Sequence, residues 1–154
     1  MSVKNEGVGF KRILFPTDCT RTSERASSYA TSLGKAYGAR LYVLHVVDLS
    51  LEGGGMYVPH ISFDVLDKEE ESVEAKSLKR FCATLSYPVK DLESIICSGT
   101  PHDEILRVAS EVSADIIVMG TAGEGGVGRL VFGSNTEYVM RNTNLPVLAI
   151  PPAD

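Results

Sequence analysis

IIVMGTAGEGGVGRLVFGSNT, residues Ile116 to Thr136, sets an apolar run, a glycine-rich loop and a helix start in direct succession. Ile116 to Met119 reads as a strand buried on both faces, the pattern of a parallel sheet. Ser134, Asn135 and Thr136 are residue types that cap a helix and leave its first N–H groups pointing outward. Glycine lets a backbone approach an anion with no Cβ in the way, and a helix N-terminus adds roughly half a positive charge. The stretch from Gly120 to Ser134 is therefore read as a phosphate-receiving loop at the carboxyl end of a strand.

Working outward, three more apolar runs follow the same pattern: Ile13 to Phe15, Leu41 to Val47 and Val147 to Ile150. Helical patterns lie between them. Glu24 to Tyr37 ends at Gly38, Leu66 to Leu85 ends before Pro88, and Pro101 to Val112 opens with proline in its first turn. A further strand, Asp91 to Cys97, carries Leu92 and Ile95 among polar neighbours, which suits an edge. Strand and helix thus alternate along the chain, which predicts an α/β fold: a doubly wound parallel sheet of five strands with helices on both faces. One connection, Leu49 to Asp64, is long without an evident element and reads as a variable loop. In open sheets of this class, ligands sit beyond the carboxyl ends of the strands, where the winding reverses. Pro16, Thr17 and Asp18 follow the first strand as Gly120 follows the fourth. If those strands are neighbours, the two loops face one crevice.

A chain of 154 residues fits one domain, taken as residues 1–154, with 1–9 expected to be flexible. Its hydrophobic fraction of 44% is ordinary, and its apolar runs are too short to span a bilayer, so no membrane association is expected. Lys4, Lys11 and Arg12 flank a polar start rather than an apolar stretch, which predicts no secretory signal and a cytoplasmic location. The net charge of −5, with scattered cations, argues against nucleic acid as a partner. Cys19, Cys82 and Cys97 are odd in number and widely spaced, which predicts reduced thiols rather than disulfides or a CxxC site.

The loop contains Gly123, Gly125 and Gly128 in a GxGxxG pattern, yet a dinucleotide fingerprint belongs to the first strand-to-helix turn and needs an acid about 20 residues on. Here it follows the fourth strand, and the stretch near Thr143 and Asn144 has no acid. No GK[ST] occurs, and Arg129 is the loop's only cation, which argues against a P-loop. Cys19 and His45 come close enough in the predicted order to be weighed as a nucleophile and base, although such residues are more often packing groups. His60 and His102 have no partner at metal-ligand spacing, so no protein metal site is expected.

The spacing glycine, two residues, glycine, nine residues, glycine and a small polar residue is met by Gly120, Gly123, Gly133 and Ser134. With ILFPTDCT at Ile13 to Thr20, LHVVD at Leu44 to Asp48, GTPHDEI at Gly99 to Ile105, ADIIVMGT at Ala114 to Thr121 and LPVLAIP at Leu145 to Pro151, the chain resembles the nucleotide-binding branch of the universal stress proteins over nearly its whole length. The resemblance implies the strand order 3-2-1-4-5 and an adenine nucleotide, ATP or else AMP or ADP, in the crevice between the first and fourth strands. It assigns Pro16, Thr17, Asp18 and the Val46 backbone to the adenine end, and Met119 and Gly120 to the ribose. Gly123, Gly133, Ser134 and Asn135 fall to the phosphates, which would carry Mg²⁺ with them. Ala122 departs from the pattern, standing where many relatives carry histidine.

Asp18 is the one carboxylate that this pattern places in the crevice, so no general base with an orienting group is evident. The expectation is a binding and regulatory protein for stress response, with an unidentified regulatory partner, and at most weak ATP hydrolysis. Two alternatives stand beside it: a slow ATPase, and a dimeric interaction protein with an empty crevice. A phosphotransferase would need catalytic lysine and histidine motifs that the chain lacks. The resemblance puts the last strand at a sheet edge, and Val147 to Ile150 has no charge to protect it, which predicts a homodimer through that strand.

Overall fold

The computed structural model describes residues 7–49, 61–62, 72–121 and 133–153. Its strands are β1 (Arg12–Pro16), β2 (Arg40–Asp48), β3 (Ile61–Ser62), β4 (Leu92–Gly99), β5 (Ile116–Gly120) and β6 (Val147–Ile150), and its helices are α1 (Arg21–Tyr37), α2 (Val73–Thr84), α3 (Pro101–Glu111) and α4 (Ser134–Asn142). The sheet order is β3-β4-β2-β1-β5-β6. Counting the five parallel strands alone, this is the 3-2-1-4-5 order with helices on both faces.

The alternation of side chains along each strand builds two cores. On one face Ile13, Phe15, Leu41 and Val43 meet Ala26 and Ala30 of α1 and Ala75, Leu78 and Phe81 of α2. On the other, Leu14, Tyr42, Leu44 and Ile117 meet Ile105, Val108 and Ala109 of α3 and Val139 of α4. Both faces are covered, which is why the central runs are apolar, His45 of β2 excepted.

Several boundaries differ from the expectation, each for a local reason. Helix α1 begins at Arg21 rather than Glu24, because Asp18 Oδ1 accepts from the Thr20 N–H at 3.0 Å and the Ser23 hydroxyl at 2.6 Å, gathering the chain into its first turn. Gly38 ends it in the left-handed conformation, φ 61°, as read from the sequence. Helix α2 is described from Val73, capped by Ser72 Oγ accepting the Ala75 N–H at 3.2 Å; the expected start at Leu66 lies outside the described residues. Asp91 belongs to a 3₁₀ turn, Val89–Asp91, and the strand after it runs on to Gly99. The connection expected to lack an element contributes β3, antiparallel to β4 through Ile61↔Ile96 and Ser62↔Ile95. Strand β4 is thus the outermost parallel strand, but β3 meets its outer edge at two residues.

Candidate functional site

Strand β1 is paired with β2 from Arg12↔Arg40 to Pro16↔Leu44, and β5 with β6 from Ile117↔Val147 to Gly120↔Ile150. Between β1 and β5 the pairing is shorter, only Ile13↔Ile116 and Leu14↔Ile117. The two central strands are neighbours, as the crevice requires, and their ladder ends before their carboxyl ends. Beyond that point lie Pro16, Thr17 and Asp18 on one side and Met119 and Gly120 on the other. This is the winding reversal at which open sheets hold ligands.

The β1 side is rigidly held by β2. The Thr17 N–H donates to the Leu44 carbonyl at 2.8 Å, and His45 Nδ1 lies 3.0 Å from the Thr17 carbonyl. A carbonyl only accepts, so Nδ1 carries the proton in this contact. Thr17 is buried, and its hydroxyl accepts the N–H of Cys19, whose φ of 63° turns the strand toward α1. Asp18 is exposed, and its Oδ1 also accepts the Thr20 hydroxyl at 2.6 Å. Val46, in register with Cys97 of β4, is half-buried on the α3/α4 face.

On the β5 side, hydrogen bonds tie the end of β5 to the start of α4. The Thr121 N–H donates to the Ile150 carbonyl at 2.9 Å, and the Gly133 N–H donates to the Thr121 carbonyl at 2.6 Å, joining the two ends of the loop. A Cβ on Gly133 would lie 3.1 Å from that same carbonyl oxygen, so glycine suits the close approach. The Thr136 hydroxyl donates to the Gly120 carbonyl at 2.9 Å from a side chain that is 2% exposed.

Ser134, Asn135 and Thr136, expected as caps, stand inside α4 instead. Gly133 is the N-cap, with φ −56° and ψ 148°, and its carbonyl accepts the Glu137 N–H at 3.1 Å. A glycine there supplies no side-chain cap, and the N–H groups of the first turn have no intrahelical acceptor by the geometry of any α-helix. Ser134 is exposed and Asn135 half-buried at that end. Gly123 and the GxGxxG glycines lie outside the described residues.

The Cys19 and His45 pair is not an activated nucleophile. Burial, with the Asp18 charge, pushes the Cys19 thiol up to about 11, and His45 is not among the groups that shift it. A thiol in that state stays protonated at neutral pH. Cys82 and Cys97 are likewise free thiols, raised to about 12, chiefly by burial. Among the described residues no group of three or more His, Cys, Asp or Glu side chains is arranged to hold a metal ion, and no helix is long and apolar enough to cross a membrane.

Sequence reasoning found the glycines by spacing but gave no structural role to the Thr136 hydroxyl. The signal for Thr136 was its place three residues after Gly133.

Residues 9–151 match the model of the universal stress protein family. Universal stress protein MJ0577 of Methanocaldococcus jannaschii is 30% identical over 158 residues, covering 93% of this chain and 96% of its own. The solved universal stress protein UspA from Lactobacillus plantarum superposes with a TM-score of 0.69 at 26% identity, over 94% of this chain and 99% of its own. A universal stress protein from Archaeoglobus fulgidus, solved in complex with dAMP, has the same fold at a TM-score of 0.62 and 24% identity, over 93% of this chain and 99% of its own. On its sequence and its fold alike, the chain belongs to the universal stress protein family.

Proposed function

We propose that this chain binds an adenine nucleotide, ATP first among them, beyond the carboxyl ends of β1 and β5, and acts as a binding and regulatory protein in stress response. The observation that carries the reading is the early end of the β1–β5 ladder at Leu14↔Ile117, flanked by the Thr17–Asp18 turn and by the hydrogen bonds from Gly133 to Thr121 and from Thr136 to Gly120. In this reading Pro16, Thr17, Asp18 and the Val46 backbone meet the base, and Met119 and Gly120 border the ribose. Gly123, Gly133, Ser134 and Asn135 receive the phosphates, by backbone N–H groups and the Ser134 hydroxyl. The dAMP complex of the Archaeoglobus relative supports an adenine ligand for this fold. Mg²⁺ would ride on the phosphate oxygens, as hard cations do, rather than on a cage of protein side chains.

Slow or absent hydrolysis belongs to the same reading. Asp18 Oδ1 is engaged by Thr20 and Ser23, and the Cys19 thiol is held protonated, which leaves neither as a free base. The test is to denature protein purified without added nucleotide, identify what is released by mass spectrometry, and record the melting temperature with and without millimolar ATP and Mg²⁺. An adenine nucleotide in the supernatant, or a raised melting temperature, is expected. Neither effect would favour the empty-crevice alternative, and rapid metal-dependent turnover would replace the binder with an enzyme.

A second element of the reading is a homodimer. Strand β6 ends the sheet, and Val147, Leu148 and Ala149 are only half-buried there. An apolar edge without a charge invites pairing, and its counterpart in a second copy offers the same edge.

A further inference from the structure

The segment Gly99 to Ile105 matches the family pattern but takes no part in the site described above. Within it His102, the second residue of α3, reaches across to the first turn of α4. Its Nδ1 lies 3.3 Å from Asn135 Oδ1, and its ring stacks on Tyr138 with centroids 3.8 Å apart and planes inclined by 35°. Its Nε2 is 3.6 Å from Asp103 Oδ1. Asn135 and Tyr138 are one turn apart on α4, so a single imidazole holds two positions of the same helix face. Since Oδ1 accepts, Nδ1 carries the proton in this arrangement.

We propose that His102 is a positioning residue for the phosphate end of the nucleotide site, acting through Asn135; the inference rests on the adenine-nucleotide reading. Asparagine near a helix start readily folds back to accept a backbone N–H of the first turn. Those N–H groups are the donors that a phosphate needs. By engaging Oδ1, His102 keeps the Asn135 side chain from occupying them, and the Tyr138 stack fixes the angle from which it does so. Pro101, with its restricted φ, supports the His102 backbone at the start of α3.

Two variants separate the hydrogen bond from the stack. His102→Phe keeps an aromatic ring over Tyr138 and loses the donor. His102→Asn restores a donor near the Nδ1 position and loses most of the ring. ATP and adenosine are titrated against each protein, and the Asn135 side-chain amide is followed by NMR without ligand. Expected are an ATP affinity about fivefold weaker in His102→Phe, the size of one hydrogen bond, with adenosine changed less than about twofold. His102→Asn should bind ATP within about twofold of wild type, and the Asn135 amide signals should shift in the phenylalanine variant and return in the asparagine one. Unchanged ATP binding in His102→Phe, equal losses for ATP and adenosine, or unmoved Asn135 signals would each overturn the inference. Wild-type protein that binds neither ligand would instead sink the nucleotide reading, while the Asn135 signals still report on the tether.

Discussion

The Thr136 hydroxyl donates to the Gly120 carbonyl oxygen at 2.9 Å, tying the first turn of α4 to the last residue of β5 across the base of the glycine loop. Thr136 is 2% exposed, so the bond has no water to replace it. Thr136→Val keeps the shape and removes the donor, leaving a carbonyl without that partner. A loss of about 1–2 kcal/mol is expected from urea denaturation. Thr136→Ser should recover most of it, whereas a loss in the serine variant with the valine one at wild-type stability would point to packing of the methyl group instead.

Gly133→Ala tests the other tie, from the Gly133 N–H to the Thr121 carbonyl. Its φ of −56° is open to any residue, so strain is not the issue. The new Cβ would press on the Thr121 carbonyl from 3.1 Å, and alanine is a poor N-cap. A stability loss of about 1 kcal/mol, together with a smaller ATP-induced rise in melting temperature, is expected. Gly38→Ala, at φ 61° and remote from the loop, should cost a similar amount and leave the ATP effect intact.

Asp18 has a structural part that can be separated from its proposed contact with the base. Its Oδ1 accepts the Thr20 N–H, the Thr20 hydroxyl and the Ser23 hydroxyl, all within 3.0 Å. Asp18→Ala should therefore destabilise the protein by about 1 kcal/mol or more, even without nucleotide. Asp18→Asn retains an Oδ1 acceptor and should unfold close to wild type in urea. If Asp18 reads the base, the asparagine protein will nevertheless bind ATP more weakly in calorimetry; wild-type affinity would remove Asp18 from the base contact.

The three thiols give the protein an alkaline limit. Cys19 is raised from 9.0 to about 11, and Cys82 and Cys97 from 9.0 to about 12, with burial the largest cause in each. Between those values the folded state holds protons that the unfolded state has released. Stability is then full below pH 9 and falls as the pH climbs toward 11 or 12. Urea midpoints at about pH 8 and about pH 10.5 should differ less in Cys97→Ala than in wild type, whatever the substitution costs at neutral pH. An equal drop in both would remove Cys97 from the effect.

What the sequence made legible divides along the range of the interactions involved. Strands β5 and β6 were readable to within a residue, because both are apolar without a break and are bounded by glycine or proline, although only β5 is buried throughout its apolar run. The start of α1 was missed although its signal is local: Asp18, Thr20 and Ser23 act together, and the aspartate outranks the weaker helix formers that follow it. Strand β3 is two residues long and carries no period to detect. Within the site, Gly120 and Gly133 were visible through the spacing that resembles the family's, and at Gly133 the close approach to the Thr121 carbonyl gives that spacing a physical reason. The contacts of Thr136 and His102 were not visible, since their partners lie 16 and 33 residues away and are chosen by the crossing of α3, α4 and β5.

The open edge of β6 permits a test of dimerisation that leaves the sheet alone. The Ile117 N–H donates to the Pro146 carbonyl and the Thr121 N–H to the Ile150 carbonyl. In a parallel ladder alternate residues turn both backbone groups to the same neighbour, so 146, 148 and 150 face β5 while Val147 and Ala149 face outward. Ala149→Pro removes an outward N–H and breaks no bond to β5, the one kind of strand position that tolerates proline. The wild-type protein is expected to sediment as a dimer at micromolar concentration, and Ala149→Pro as a folded monomer with a similar melting temperature. A monomeric wild type, or a variant that still dimerises, would move the contact away from β6.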